Sequence, residues 1–387
     1  MAGRRQNVAV DKLDLVRRLQ EADDLLRSAI GGGRVGEAPP EDKDKPFDEH
    51  QFARLSILNK RRKPDKLKLN KGQKIILTAV RRMQNAGLPV RIILLKARQF
   101  GGSTFVVGMG YEKVIKSGQR WVIMAQDVDA AKNLWKKHQH FYNRETERTG
   151  RPEIIKREVR EHQYSNGGEI WVGSADVKSV RSQTNQGALV TELPKWPGEK
   201  ETVEEQLLGL LNTVTKEPDT YIFIESTAGG LGDSFHDRWV NATRELGQDG
   251  LPRFGEYMPV FVGWLDIEEY VLPFPAPETR TRFMENLEQQ GYEGELLLVE
   301  QHQASPEQLL WRRSTIRSEC GGSVSKFNQE YPTTPEEAFL GAGLPKFDQH
   351  ACANMLRTAP RPVFVGEVNT NAPVDWVNLC RPGNEAE

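Results

Sequence analysis

The stretch Ile92-Ile93-Leu94-Leu95-Lys96-Ala97-Arg98-Gln99-Phe100-Gly101-Gly102-Ser103-Thr104 decides how this chain is read. An apolar strand breaks into a basic, glycine-bearing turn and then a pair of hydroxyls. That order suits a phosphate-binding loop. The strand fixes the loop at a sheet edge, Gly101 and Gly102 let backbone N–H groups approach phosphate oxygens, and Ser103 stands where a hydroxyl would ligate Mg²⁺. Laid over the Walker A pattern G-x-x-x-x-G-K-[ST], the stretch puts Lys96 on the first glycine and Gly102 on the lysine. The cation for the β- and γ-phosphates then has to come from the front of the loop, from Lys96 or Arg98. Taken alone, the same string also reads as a buried strand with a snorkelling lysine, followed by an ordinary turn and helix.

Further along, Ala188-Leu189-Val190-Thr191-Glu192 is a second short apolar strand closing on an acid, as the Walker B strand of a P-loop ATPase does. A lone carboxylate there has no packing reason to exist, so Glu192 is expected to polarise an attacking water. Tyr221-Ile222-Phe223-Ile224-Glu225-Ser226-Thr227-Ala228-Gly229-Gly230 is a third strand, ending in small polar groups that can sense a γ-phosphate. Glu225, Ser226 and Thr227 also read as a strand-end cap or a hydroxyl-to-backbone turn. Three strands would present their C-terminal ends to one crevice, where open α/β sheets bind ligands.

The chain has 387 residues, 37% of them apolar, enough for a substantial core, and its net charge is −1. No apolar run reaches about eighteen residues, and Met1-Ala2-Gly3-Arg4-Arg5 leads into charge, so a cytoplasmic protein without a membrane segment is expected. Cys320, Cys352 and Cys380 are too widely spaced for zinc or a disulfide framework. His138 and His140 read as ordinary helix residues rather than ligands. Charge is distributed unevenly. Lys60, Arg61, Arg62, Lys63, Lys66, Lys68, Lys71 and Lys74 face only Asp65 across their stretch, a stripe that suits DNA phosphates or a solvated linker face equally.

Val10 to Ile30 predicts an amphipathic helix stopped by Gly31-Gly32-Gly33, and Glu37 to Pro46 a flexible connector. From about Leu67 to Trp264 strand and helix signals alternate, which predicts a mostly parallel sheet flanked by helices. Within it, Ser103–Lys116 is the helix after the loop, Trp121–Ala125 a strand, Asp127 or Asp129 a helix cap, and Tyr164–Val172 a hairpin on its Asn-Gly turn. Beyond Trp264 the pattern changes to proline-punctuated helices, one starting at the capping box Ser305-Pro306-Glu307-Gln308. The resulting divisions are 1–66 (helix and basic connector), 67–264 (core), 265–345 (helical lid or linker) and 346–387.

In this order the segments resemble the large terminase subunit of tailed bacteriophages, the ATPase that drives DNA into the capsid. The resemblance rests on the lysine-first loop from Lys96 to Ser103, the acid strand running into Leu193-Pro194-Lys195-Trp196, and Glu225-Ser226-Thr227-Ala228-Gly229. It extends through Phe261-Val262-Gly263-Trp264, Gln308-Leu309-Leu310-Trp311-Arg312, Gln329-Glu330-Tyr331-Pro332 and Glu336-Glu337-Ala338-Phe339. It implies a P-loop NTPase core with a smaller helical lid, ATP and Mg²⁺ as cofactors, and double-stranded DNA as the moved substrate. ATP would be bound by Gln73 at the adenine edge and by Lys96, Ala97, Arg98, Gln99, Gly101, Gly102, Ser103 and Thr104. Glu192 would be the catalytic carboxylate, with Arg98 and Arg181 as charge-stabilising arginines, and Glu225, Ser226, Thr227 and Ala228 the coupling segment. Mg²⁺ would be held by Ser103 and, indirectly, by Thr191, which stands where many relatives carry aspartate. The N-terminal leader would meet the small terminase subunit or the capsid portal, in a homo-oligomeric ring in the host cytoplasm docked at the procapsid.

The segment 346–387 resembles the lead-in to the family's nuclease domain, and a piece without that nuclease is expected. Asp348 and Asp375 stand singly, so no DNA cleavage is expected. Two other functions stay open on the residues alone. One is a helicase-type ATPase, which would need a second αβ core. The other is a non-hydrolysing nucleic-acid or assembly protein, whose loop lacks a lysine at Gly102.

Overall fold

The computed structural model describes residues 47–59, 61–145, 150–175, 184–287, 292 and 294–341. The expected helix Val10–Ile30, the connector Glu37–Pro46, Lys60, Arg181, Asp348, Cys352, Asp375, Cys380 and the segment 346–387 lie outside the described residues.

The described chain opens with a short helix α1 (Glu49–Phe52) and a hairpin of β1 (Ser56–Leu58) and β2 (Pro64–Lys66). Then come α2 (Lys71–Asn85), β3 (Val90–Lys96), α3 (Gly102–Ser117), β4 (Arg120–Ala125) and α4 (Val128–Arg144), which Asp127 caps. An antiparallel run of β5 (Ile154–Arg157), β6 (Glu161–Tyr164) and β7 (Glu169–Ser174) follows, its last turn the predicted Asn166-Gly167 hairpin. After β8 (Gly187–Thr191), α5 (Lys200–Leu211), β9 (Tyr221–Ser226) and α6 (Ser234–Arg244), strand β10 (Met258–Val262) completes the sheet. Its eight strands run in the order β10-β3-β9-β8-β4-β7-β6-β5, parallel from β10 to β7 with β6 and β5 added antiparallel. This is the expected α/β class, a mostly parallel sheet flanked by helices.

All seven residues of β3 are buried, so this strand shows no inside–outside alternation and must be covered on both faces. Successive side chains nevertheless point to opposite sides. Ile92 and Leu94 join Leu189, Tyr221 and Phe223 in one core with α2 and α3, whereas Ile93 and Leu95 join Val190, Ile222 and Ile224 in another with α5 and α6. Residues 47–66 are not a separate connector. Phe47, Phe52 and Leu55 lie in the first core, and Phe52 stacks on Phe105 of α3 at 4.7 Å, so the packed body begins before the boundary expected at residue 67. Those apolar residues are interleaved with charge, which hides their anchoring from a composition reading.

Beyond β10 the described elements are helices: α7 (Pro277–Glu285), α8 (Glu295–His302), α9 (Pro306–Ser318), α10 (Val324–Glu330) and α11 (Pro335–Gly341). The capping box at Ser305 and Gln308 starts α9 as expected, and Gln308 also donates to the Leu265 carbonyl at 3.2 Å. Aromatic rings hold this region to the sheet: Trp311 lies parallel to Tyr270 at 4.3 Å and stacks on Trp264 at 5.7 Å. A buried ion pair joins Glu295 to Arg312 and Arg313, at 3.3 and 2.6 Å.

Two features of the core carry predictions. A Cβ on Gly187 would sit 2.1 Å from Trp121, a ring buried between β8 and Tyr221 with no room to move. Gly187→Ala is therefore expected to lower unfolding free energy by about 1–3 kcal/mol, read as a drop in the urea midpoint. The second concerns His138, a helix residue as expected, which is fully buried. Its Nε2 shares a hydrogen bond of 2.8 Å with the Tyr164 hydroxyl, and Trp135 and His162 close the cluster. Burial, with Arg157 adding to it, pushes the His162 pKa down to about 4, and burial lowers His138 well below the usual range. Both rings are neutral when folded and take protons more readily when unfolded. Stability is thus complete above the ordinary histidine value of 6.5 and declines as pH falls toward about 4. Urea titrations from pH 7.5 to 4.5 should show that slope, reduced in His162→Gln; an equal slope in the variant would exclude His162 as a source of it.

Candidate nucleotide-hydrolysis site

Strand β9 lies between β3 and β8, with Glu225 in register with Leu94 on one side and Thr191 on the other. Counting by twos from the first core puts Lys96, Glu225 and Thr191 on one face at the C-terminal ends of three neighbouring strands. That is the face on which α3 packs. The parallel order brings together there residues that are far apart in the chain.

The loop between β3 and α3 is built by its backbone and its supports. Gln99 and Gly101 take positive φ angles, 60° and 89°, and Gly101 ends the loop as the N-cap of α3 without a capping side chain. The first N–H groups of this helix are left for an anion, with the positive end of its dipole behind them. Asn70 and Gln73 brace the loop from α2. Asn70 donates to the Phe100 carbonyl at 2.7 Å, and Gln73 donates to the Gly101 carbonyl at 2.9 Å while its amide oxygen accepts from the Asn70 N–H at 3.1 Å. The amide expected at an adenine edge is thus buried and engaged under the phosphate loop. The pattern Asn70-x-x-Gln73 is a readable capping box, a signal present in the sequence and passed over.

Lys96 Nζ lies 3.1 Å from Glu192 Oε1, and Lys195 Nζ lies 2.6 Å from Glu192 Oε2. Burial opposes the charge on Lys96, but Glu225 and Glu192 outweigh it and raise the ammonium pKa above the ordinary lysine value. Burial works against Glu192 in the same way, and the two lysines still hold its carboxyl below the usual range. The pair is ionised at neutral pH. Glu192 has φ 50°, a left-handed backbone uncommon for a side-chain-bearing residue. Its N–H donates to the Glu225 carbonyl at 2.8 Å and its own carbonyl accepts from the Lys195 N–H at 2.8 Å, which fixes the bend and aims the carboxylate at Lys96.

Glu225 is wholly buried. One of its oxygens accepts from the Ser103 hydroxyl and the other has no hydrogen-bond partner. Burial raises its pKa, Lys96 and Ser103 lower it, and Glu192 raises it again, with a net upward shift. Ser226 follows, buried, its hydroxyl also unpartnered, and Thr227 and Ala228 are buried behind it. Gly229 packs against Pro194 so closely that a Cβ would sit 2.2 Å away, so the segment after β9 and the turn Leu193–Lys195 form one unit. Thr191 is buried at the end of β8, and Trp196 donates to its carbonyl at 3.1 Å.

Arg98 pairs outside this cluster, although its charge still opposes that of Lys96. Its guanidinium pairs with Glu330 of α10, its N–H donates to the Glu330 carbonyl at 3.1 Å, and its carbonyl accepts from the Tyr270 hydroxyl. Ala97 donates to Val262 at 2.8 Å, which ties the loop to β10. The helical region therefore grips the loop directly, a contact that no local pattern announced. Lys137 on α4 was also missed. Burial lowers its pKa, Glu225 raises it and Lys96 lowers it, so its ammonium shares the field of the site.

The donor set fits Mg²⁺. The Ser103 hydroxyl, an orphaned Glu225 oxygen and Glu192 are hard oxygen ligands, and Thr191 stands beside them. Among the described residues no group of three or more His, Cys, Asp or Glu forms a metal cage.

No family model and no curated protein matches the chain. Solved structures of similar outline exist. The HK97 bacteriophage large terminase is 14% identical, with a TM-score of 0.46 over 65% of this chain and 52% of that one. The chain thus spans about half the length of that protein. The ATPase domain of a Thermus phage large terminase is 18% identical with a TM-score of 0.38, over 57% and 89% of the two chains. The gp11 DNA packaging motor of Phi-28 is 15% identical with a TM-score of 0.30, over 52% and 65%. No helix among the described residues is long and apolar enough to cross a membrane.

Proposed function

We propose that this chain is a Mg²⁺-dependent ATPase that moves double-stranded DNA during viral genome packaging, the motor portion of a large terminase subunit. The observation that carries the reading is the Lys96–Glu192 ion pair, set beside Glu225 and Ser103 at the uncapped N-terminus of α3. A cation, a backbone anion cradle, a hydroxyl for the metal and a strand-borne carboxylate are the parts that phosphoanhydride hydrolysis needs.

The ion pair also suggests the order of events. A γ-phosphate on the Lys96 ammonium competes with Glu192 for the same charge, which leaves Lys195 as the remaining partner of the carboxylate. Glu192 then orients a water and accepts its proton as the water oxygen bonds to the γ-phosphorus and the bond to the ADP oxygen breaks. Ser103 would hold Mg²⁺, which would neutralise phosphate charge there. Glu225 and Ser226, next to both the loop and the Glu192 backbone, are placed to pass the change onward, and the Arg98–Glu330 contact gives it a route into the helical region.

Assembly into a ring, with a small subunit, at a procapsid portal in the host cytoplasm belongs to the same reading. Displacement of a triplex-forming strand from duplex DNA is the test. Displacement that needs ATP and stops with a non-hydrolysable analogue is expected. Turnover of ATP without displacement under any assembly condition would reduce the reading to an ATPase of another kind.

A further inference from the structure

Outside the site, a concentration of unpaired charge among the described residues lies at and just beyond the tip of the β1–β2 hairpin. Arg61, Arg62, Lys63 and Lys68 are exposed, and among the described residues none of their side chains is in an ion pair. Lys71 and Lys74, in the same stripe, are instead neutralised by Asp266 and Glu49 at 3.3 and 3.5 Å. The stripe is therefore not uniform, and among the described residues its unpaired part is Arg61, Arg62 and Lys63 at the hairpin tip and Lys68 beyond it. The turn is built rather than loose. Asn59 Oδ1 accepts from the N–H groups of Arg61 and Lys63, both at 3.0 Å, the Arg62 N–H donates to the Asn59 carbonyl at 2.8 Å, and Arg62 takes φ 57°. Three cations are held at one tip.

The connection behind the hairpin is short and rigid. Leu67 is buried, its N–H bonded to the Leu55 carbonyl at 2.8 Å, and three residues later Asn70 grips the Phe100 carbonyl of the phosphate loop. Gln73, one turn on, grips the Gly101 carbonyl. A load on the hairpin is thus one buried residue away from the groups that shape the nucleotide loop.

We infer that the Arg61–Lys63 tip is a contact for the phosphate backbone of duplex DNA, and that this contact acts on the nucleotide loop through Leu67, Asn70 and Gln73. The inference rests on the reading of the site as an ATPase and names a partner surface for it. The chemistry favours a duplex backbone: the described residues from Ser56 to Asn70 include no aromatic ring on which unpaired bases could stack. Arginine and lysine without base-reading amides contact phosphates irrespective of sequence.

The full chain and Arg61→Gln/Arg62→Gln/Lys63→Gln are titrated with a duplex oligonucleotide across a salt series, and ATP turnover is measured with and without the duplex. Loss of three phosphate contacts should flatten the slope of log K against log salt by about 2–3. Basal turnover should stay at the parental rate while the duplex-dependent increase disappears. An unchanged slope, or a parent that does not bind duplex at all, would overturn the contact. A flattened slope with the duplex-dependent increase intact would overturn the relay. Absence of basal turnover in the parent would instead count against the ATPase reading, and the binding titration would still decide the contact.

Discussion

Glu192→Gln is expected to reduce Mg²⁺-dependent ATP turnover by on the order of 10²–10⁴-fold while nucleotide affinity stays near that of the parent. The glutamine keeps the shape at the end of β8 and can still donate and accept, but it cannot take a proton from water. In the parent the carboxylate is ionised, held below the usual pKa range by Lys96 and Lys195 against the pull of burial. Removing its charge frees Lys96 for the phosphates, so binding has no reason to weaken. Rapid-quench measurement of phosphate release, with a fluorescent nucleotide for affinity, separates the two quantities. Turnover at the parental rate would assign the base elsewhere, with Glu225 the next carboxylate on the same face.

Lys96→Ala is expected to remove both turnover and most of the nucleotide affinity. A charge-assisted contact to phosphate contributes about 1.5–3 kcal/mol, which is roughly 10- to 150-fold in affinity. The variant also strands Glu192 and the buried Glu225 without their shared cation. A loss of folding stability of about 3 kcal/mol follows, at the lower end for a broken pair because Glu192 is partly exposed. Lys96→Arg keeps the charge and should keep the fold, and its longer, planar head should still fail to restore turnover. Denaturant midpoints measured beside nucleotide titrations distinguish the two losses. Tight binding by Lys96→Ala would mean that the cation at the phosphates is Lys137 or Arg98.

Much of this arrangement could be read from strands. An apolar run buried on both faces, such as Ile92–Leu95, signals a parallel sheet without any knowledge of its neighbours, and an acid at the end of such a run stands out because burial disfavours it. Lys96, Glu192, Glu225 and Ser103 were each visible on those grounds, and the structure brings them together. What the strands could not announce was pairing across the chain. Glu330 lies in a helix with no apparent link to the loop, and only packing of Tyr270, Trp311 and Tyr331 places it on Arg98. The resemblance alone assigns Gln73 to the adenine edge, and its position on a basic helix reads equally as surface, whereas the structure turns its amide inward to Asn70 and the Gly101 carbonyl. Lys137 sits on an amphipathic helix where any lysine reads as solvated. The anchoring of Phe47, Phe52 and Leu55 was masked by the charges interleaved with them.

If the Lys96–Glu192 pair belongs to a site that hydrolyses ATP, the purified chain incubated with ATP should release phosphate with Mg²⁺ and not with EDTA. That release should fall to background in both Glu192→Gln and Lys96→Ala. Release no greater than that of Lys96→Ala, from a parent chain shown to be folded by its denaturation midpoint, would contradict that assignment.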